Sequence, residues 1–175
     1  MVTPHAKTAL GQLAEAPEPA SQYLTFHLAH EVFAMDIRTV REIIQYGPMT
    51  GVPLMPDFVR GVINLRGAVV PVIDLRARFG QAPAEVSKKT CIVVFDAQRD
   101  GERLELGLLV DAVNEVMDLP ASQIEPPPSF GTAVRREFIR GMGKLASGRF
   151  VIILEPDRAL DIDDMALLCE QAQAA

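Results

Sequence analysis

The chain has 175 residues and a formal net charge of −6, from 17 Lys and Arg against 23 Asp and Glu, and 49% of its residues are hydrophobic. That length suits one domain or two tightly merged small ones, and that hydrophobic share is enough for a core. The acidic balance argues against general nucleic-acid binding, two cysteines rule out a disulfide-rich scaffold, and no apolar run reaches the ~18–20 residues that span a bilayer.

Residues 1–20 contain Pro4, Pro17 and Pro19 and few large apolar groups. Such a segment cannot offset its ordering entropy, so it reads as a flexible tail, and without an apolar signal core it is no signal peptide. Ordered structure is expected over 21–175, in a soluble, cytoplasmic protein. From Tyr23 the period is two. Leu24, Phe26 and Leu28 share one face, and after Ala29-His30-Glu31 so do Phe33, Met35 and Ile37, which predicts a β-hairpin. Asp36 is placed to cap a short helical turn over Ile37–Val40, and Arg41 to Tyr46 predicts another strand. Gly47, Pro48, Gly51, Pro53 and Pro56 then mark a loop.

In FVRGVINLRGAVVPVIDL, from Phe58 to Leu75, Asn64 to Gly67 reads as a turn between apolar stretches. Val69 to Ile73 fits a buried strand in which Pro71 predicts an edge or a bulge, and Asp74 is placed to cap a short helix through Phe79. Cys91–Phe95 and Leu104–Val110, on either side of Arg99-Asp100-Gly101, predict a second hairpin. Pro120 and Pro126-Pro127-Pro128 mark loops, and Phe150–Leu154 is a short apolar strand. Asp163 is placed as the N-cap of a closing helix over Asp164–Gln173, with Met165, Leu168 and Cys169 on one face.

Two segments repeat. FVRGVINL from Phe58 and FIRGMGKL from Phe138 match at Phe58 and Phe138, Arg60 and Arg140, Gly61 and Gly141, and Leu65 and Leu145. Upstream, Val40-Arg41-Glu42-Ile43 resembles Val113-Asn114-Glu115-Val116, and each follows a hairpin. The repeat predicts two copies of one small β-unit. Four or five short strands cannot bury both faces of a flat sheet, so each unit is expected to curl into a small barrel. Units of ~70 residues have thin cores, so the two are expected to pack on each other.

The inventory for chemistry is poor. His27 and His30 form H-x-x-H on a hairpin, without a further ligand at metal spacing. Asp161, Asp163 and Asp164 open like an EF-hand loop, but Ala166 and Ala172 stand where Gly and Glu are needed. Gly141-Met142-Gly143-Lys144 lacks the spacing of a phosphate loop, and Cys91 beside Ile92 and Val93 reads as a buried, inert thiol. No nucleophile elbow or triad is present. No catalytic, metal or cofactor site is therefore expected, and a binding or scaffolding role is. Two charges stand out. Arg66, in a tight turn between apolar neighbours, is a fixed donor fork suited to carboxylates or helix-end carbonyls, and Glu42 interrupts the apolar set Val40, Ile43, Ile44.

The stretch FVRGVINLRGAVVPVIDLRARFG, Phe58 to Gly80, resembles the CheW family, the coupling proteins of bacterial chemosensory arrays. Supporting stretches are FAMDIRTVREI from Phe33, LGLLVDAVNEVMDL from Leu106, IEPPPSFG from Ile124 and FIRGMGKL from Phe138. The likeness runs from Gln22 to the closing helix. It implies a mainly β fold of two intertwined five-stranded SH3-like β-barrels with a shared hydrophobic core, short helices and a C-terminal helix. It also implies an adaptor without catalysis that joins the cytoplasmic tip of chemoreceptors to the regulatory domain of the histidine kinase CheA, at arrays beneath the inner membrane. No nucleic acid and no membrane insertion are involved. Arg66 of NLRG and Glu42 of V-x-E-I match positions linked to receptor binding in the groove between barrels, and Val40 and Val113 match apolar positions near that surface. Gly61 matches a glycine whose change disturbs partner binding, directly or through the fold. A non-flagellar pathway, in pilus motility or surface sensing, is the alternative setting.

Overall fold

The computed structural model describes residues 21–51, 53, 55–83, 85–99, 101–127 and 139–155. The N-terminal tail, Phe138, the 161–164 aspartates and the closing helix lie outside the described residues. Eleven strands are described: β1 (Ser21–Leu28), β2 (Glu31–Asp36), β3 (Val40–Gln45), β4 (Val59–Leu65), β5 (Ala68–Asp74), β6 (Cys91–Arg99), β7 (Glu102–Val110), β8 (Ala112–Leu119), β9 (Ile124–Glu125), β10 (Ile139–Lys144) and β11 (Phe150–Leu154), with one helical turn, α1 (Leu75–Arg78).

The expected hairpins form. β1 and β2 pair from Tyr23↔Asp36 to Leu28↔Glu31 around Ala29 and His30, both at positive φ, and β6 and β7 pair from Cys91↔Val110 to Arg99↔Glu102. Both aspartates act as caps. Asp36 Oδ1 accepts from the Arg38 N–H at 2.9 Å and starts a 3-10 turn over Ile37–Thr39, and Asp74 Oδ1 accepts from the Arg76 N–H at 3.0 Å and starts α1. Each satisfies backbone donors that the first turn leaves without partners.

The strands are shared differently from the expectation that each repeat closes its own barrel. One sheet runs β8-β1-β2-β11-β10-β9 and the other β3-β6-β7-β5-β4. The first hairpin of each half joins the third strand and last hairpin of the other half. The third strands join antiparallel, β8 with β1 and β3 with β6, and the last hairpins join in parallel, Ile152↔Phe33 and Ile153↔Ala34 in one sheet, Val72↔Gly107 to Asp74↔Leu109 in the other. Pro71 therefore lies in an interior strand, not at an edge. The β5–β7 pairing begins one residue later, at Val72, so it does not draw on the N–H that proline lacks.

Both sheets curl. A Cβ added to Gly143 on β10 would stand 2.8 Å from Leu119 on β8, although three strands separate these two in the sheet order. Each chain segment leaving an edge strand crosses the seam and pairs beyond it. After β3, Thr50 bridges Val62 of β4, and after β8, β9 pairs with β10. The interiors hold separate small cores, Tyr23, Ala34, Leu119, Val151 and Ile153 in one barrel, Val72, Ile92, Val94 and Leu109 in the other. The largest cluster lies between the barrels and draws on both sheets, including Leu24, Phe26, Phe33, Ile73, Val93, Phe95, Leu106, Leu108 and Ile152. Central strands are thus buried on both faces, which is why Tyr23 through Phe26 are buried without alternation.

Val72 is fully buried against Gly107 and Ile92. Val72→Asp places an unpaired charge there and is expected to cost about 3–5 kcal/mol. Urea unfolding monitored by circular dichroism checks this, and a midpoint equal to the parent's refutes the packing assigned to β5.

Candidate functional site

Arg66 and Glu42 meet at the seam of the second barrel. Glu42 lies on β3, at one edge of the sheet, and Arg66 in the turn that ends β4, at the other edge. Arg66 Nη1 stands 2.6 Å from Glu42 Oε1. The turn holds Arg66 at φ 51 and Gly67 at φ 84, and the Asn64 side-chain oxygen accepts from the Gly67 N–H at 3.0 Å. These φ signs are those of a type I′ hairpin turn, which twists with its strands but strains a non-glycine residue. Glu42 follows a bulge in which Arg41 is the extra residue. Val40 therefore aligns with Phe95 and Glu42 with Val94, which face opposite sides of β6, and all three residues of the bulge line one cleft.

That cleft, of about 610 Å³, is lined by Arg38, Arg41, Arg66 and Arg103 with Glu42, Asp96 and Val40. Sequence reading found Arg66, Glu42 and Val40 but missed Arg38, Arg41, Arg103 and Asp96. The hairpin arithmetic contained a signal for two of them. With Arg99 opposite Glu102, Asp96 must face Glu105 and sit diagonal to Arg103. Arg41 Nη1 stands 3.5 Å from Asp96, Arg41 Nη2 3.7 Å from Glu105, and Arg103 Nε 3.6 Å from Asp96. Arg38 is held more tightly: its Nε and Nη2 donate to the Asp36 carboxylate at 3.1 and 2.7 Å. That side-chain hydrogen bond from Arg38 holds the buried Asp36 carboxyl below the usual carboxylate range, against the upward push of burial. Arg140 adds charge at 3.8 Å.

Val113 is not part of this cleft. It lies on β8 of the other sheet, opposite Phe26, as Val40 lies opposite Phe95. Both are half-buried and pack on the core between the barrels. Gly61 is where the seam-crossing segment presses on β4. It has φ 155, and a Cβ there would come 2.8 Å from the Thr50 carbonyl oxygen. Its repeat partner Gly141 stands in the same relation to the β9 segment, 2.7 Å from Ile124 and 3.0 Å from the Glu125 carbonyl. The repeated glycines thus mark the two crossings.

His27 and His30 are exposed, His30 in the positive-φ turn. Cys91 is half-buried rather than buried, its Sγ 3.2 Å from the Lys89 carbonyl. Gly141-Met142-Gly143-Lys144 forms strand β10 and not a phosphate loop. Among the described residues no group of His, Cys, Asp and Glu is arranged to hold a metal, and no helix is long and apolar enough to cross a membrane.

Comparison with known proteins gives a consistent result. Residues 22–164 match the model of the CheW-like domain. The chain is 36% identical over 153 residues to a chemotaxis protein CheW from Klebsiella aerogenes, covering 87% of this chain and 89% of that one. A chemotaxis protein CheW from Rhizobium meliloti is 36% identical over 136 residues, 78% of this chain and 84% of its own. The crystal structure of the scaffolding protein TtCheW from Thermoanaerobacter tengcongensis superposes with a TM-score of 0.69 at 36% identity, over 78% of this chain and 89% of that one. Its SH3-like β-barrel fold is that of the two sheets described above.

Two outcomes are expected from this geometry. Because the folded Asp36 pKa is lowered, its contribution is present above the unfolded value of about 3.9 and is lost as pH falls through the folded value. Asp36→Asn should therefore be less stable than the parent at pH 7, with the gap closing as pH falls below the ordinary carboxylate range. Thermal unfolding across that range checks the sign. Gly61→Ala should cost about 1–3 kcal/mol through strain and displacement of Thr50, with the protein still folded; denaturant titration measures it.

Proposed function

The chain belongs to the CheW-like domain family and is a chemotaxis scaffold, and from that premise we propose that it couples the cytoplasmic tip of a chemoreceptor to the regulatory domain of the histidine kinase CheA. It does so as a cytoplasmic adaptor, without a catalytic step or a cofactor. The observation that carries the receptor side of this reading is the Arg66–Glu42 pair across the barrel seam, with Val40 in the same cleft.

A receptor tip is a helical hairpin. A helix can lie along such a surface through apolar contact with a few polar clamps. Val40 supplies contact area, while Arg66 and Glu42 supply register and specificity. Val113, at the equivalent place on the other barrel, adds apolar area near the core the barrels share. Gly61 supports the site by letting the segment around Thr50 cross close to β4. The scaffold holds receptor and kinase together, so receptor conformation biases the kinase equilibrium by the difference in binding energy between its states. Modest interfaces suffice because an array repeats them.

Arg66→Glu removes the seam pair and places two carboxylates together. Arg66 is exposed, so the loss of stability should stay within about 1 kcal/mol. Co-purification with a receptor-tip fragment should nevertheless fall sharply, while the kinase regulatory domain is retained. Unchanged recovery of the receptor fragment removes Arg66 from the interface, and failure of the parent protein to bind either partner removes the reading itself.

A further inference from the structure

The cleft around Arg66 has an asymmetry that its net charge hides. Its carboxylates are sunk and its guanidinium groups stand out. The side chains of Arg38, Arg66 and Arg103 are 77%, 62% and 60% exposed, against 9%, 31% and 15% for their partners Asp36, Glu42 and Asp96. What an approaching molecule meets is therefore a rim of donor forks, on a chain whose net charge is −6.

The forks are not equally committed. Arg66 is close to Glu42, 2.6 Å from an oxygen that has no aligned hydrogen bond, and Arg38 donates twice to Asp36. Arg41 and Arg103 stand 3.5 to 3.7 Å from their carboxylates, too far for good hydrogen bonds, so their N–H groups retain donor capacity. Sunk Asp96 fixes both guanidinium groups by charge without saturating them. Planar forks with spare donors match carboxylates in bidentate geometry.

We propose that this cleft selects an acidic segment of the receptor-tip hairpin, receiving its carboxylates on Arg103 and Arg41 with Arg38 at the rim. The proposal rests on the receptor-binding reading above and adds the chemistry of the partner. A space of about 610 Å³ takes a few side chains from one helix face. A polyanion such as nucleic acid is disfavoured by the field of the whole acidic chain. Contacts of this kind are screened within about 8 Å at physiological ionic strength, so the affinity must depend on salt.

The test compares Arg103→Glu, Arg38→Glu and, as a control of equal charge change, Lys88→Glu, an exposed position in the loop before β6. Binding of each full chain to a receptor-tip hairpin fragment and to the CheA regulatory domain is measured by calorimetry at two NaCl concentrations. Arg103→Glu should weaken the receptor fragment tenfold or more and flatten the salt dependence, with Lys88→Glu within twofold of the parent and kinase binding unchanged. A fragment with one acidic residue changed to Lys should restore binding to Arg103→Glu. Equal effects of Arg103→Glu and Lys88→Glu, or a loss confined to the kinase domain, overturn the proposal. Weakening by Arg66→Glu but not by Arg103→Glu overturns it while leaving the receptor-binding reading intact, whereas a parent chain that ignores the receptor fragment ends both.

Discussion

The structure depends on two parallel strand pairings, β2 with β11 and β5 with β7. Each is short, and each joins strands far apart in the chain. Together they fix which half supplies which part of each barrel. Without them the first hairpin of each half would hold to the other half only through one antiparallel edge, β1 with β8 or β6 with β3, and the last hairpin of the other half would stand outside the sheet. The core between the barrels follows from this exchange, since the strands that meet there already present a second apolar face. A domain built this way has no separable half. It should unfold as one unit, and its long-range pairings place it among slower-folding topologies.

The first hairpin, the cap at Asp36 and the cap at Asp74 were legible because each is set by neighbours in sequence: alternation, a short turn, a carboxylate before a helical turn. The repeat was legible for a different reason. Gly61 and Gly141 are favoured by two equivalent backbone crossings, where a Cβ would crowd a carbonyl. Which copy completes which barrel was not legible from the repeat, because similarity reports equivalence of roles and is silent on exchange. Pro71 misled because a proline is costly only where a ladder needs its N–H, and here the β5–β7 ladder starts after it. Arg66 and Glu42 announced themselves as charges among apolar neighbours. Arg38, Arg41 and Arg103 did not, because an arginine in a short turn or on a polar strand face is ordinary until tertiary pairing gathers several around one cleft.

The seam is a reasonable place for a docking site on a barrel. Edge strands are where backbone and side chains remain available, and a barrel must control them to avoid unwanted pairing. Here β4 is covered by the bridge at Thr50, and a charged pair, not further backbone pairing, joins β3 to the turn after β4. Arg66 is held there in a left-handed conformation that a glycine would adopt more easily. An observed strain of this kind at an exposed charge points to a role beyond folding.

The two barrels are equivalent inside and different outside. Val40 opposite Phe95 and Val113 opposite Phe26 occupy the same place, and the bulges that follow them match. The surroundings of the two glutamates then diverge. Glu42 turns to Arg66, while the backbone of Glu115 is locked to Thr25, whose hydroxyl donates to the Glu115 carbonyl at 2.7 Å and accepts from its N–H at 3.1 Å. Val94 occupies the matching place in the second barrel and has no hydroxyl to offer. The turns diverge as well: Arg66-Gly67 alone joins β4 to β5, whereas five residues, Leu145 to Arg149, join β10 to β11. A duplicated interior makes one stable framework, and the divergence of its seams gives that framework two unlike surfaces. On the adaptor reading proposed above, unlike seams let two partners be told apart, where identical seams would compete for the same one.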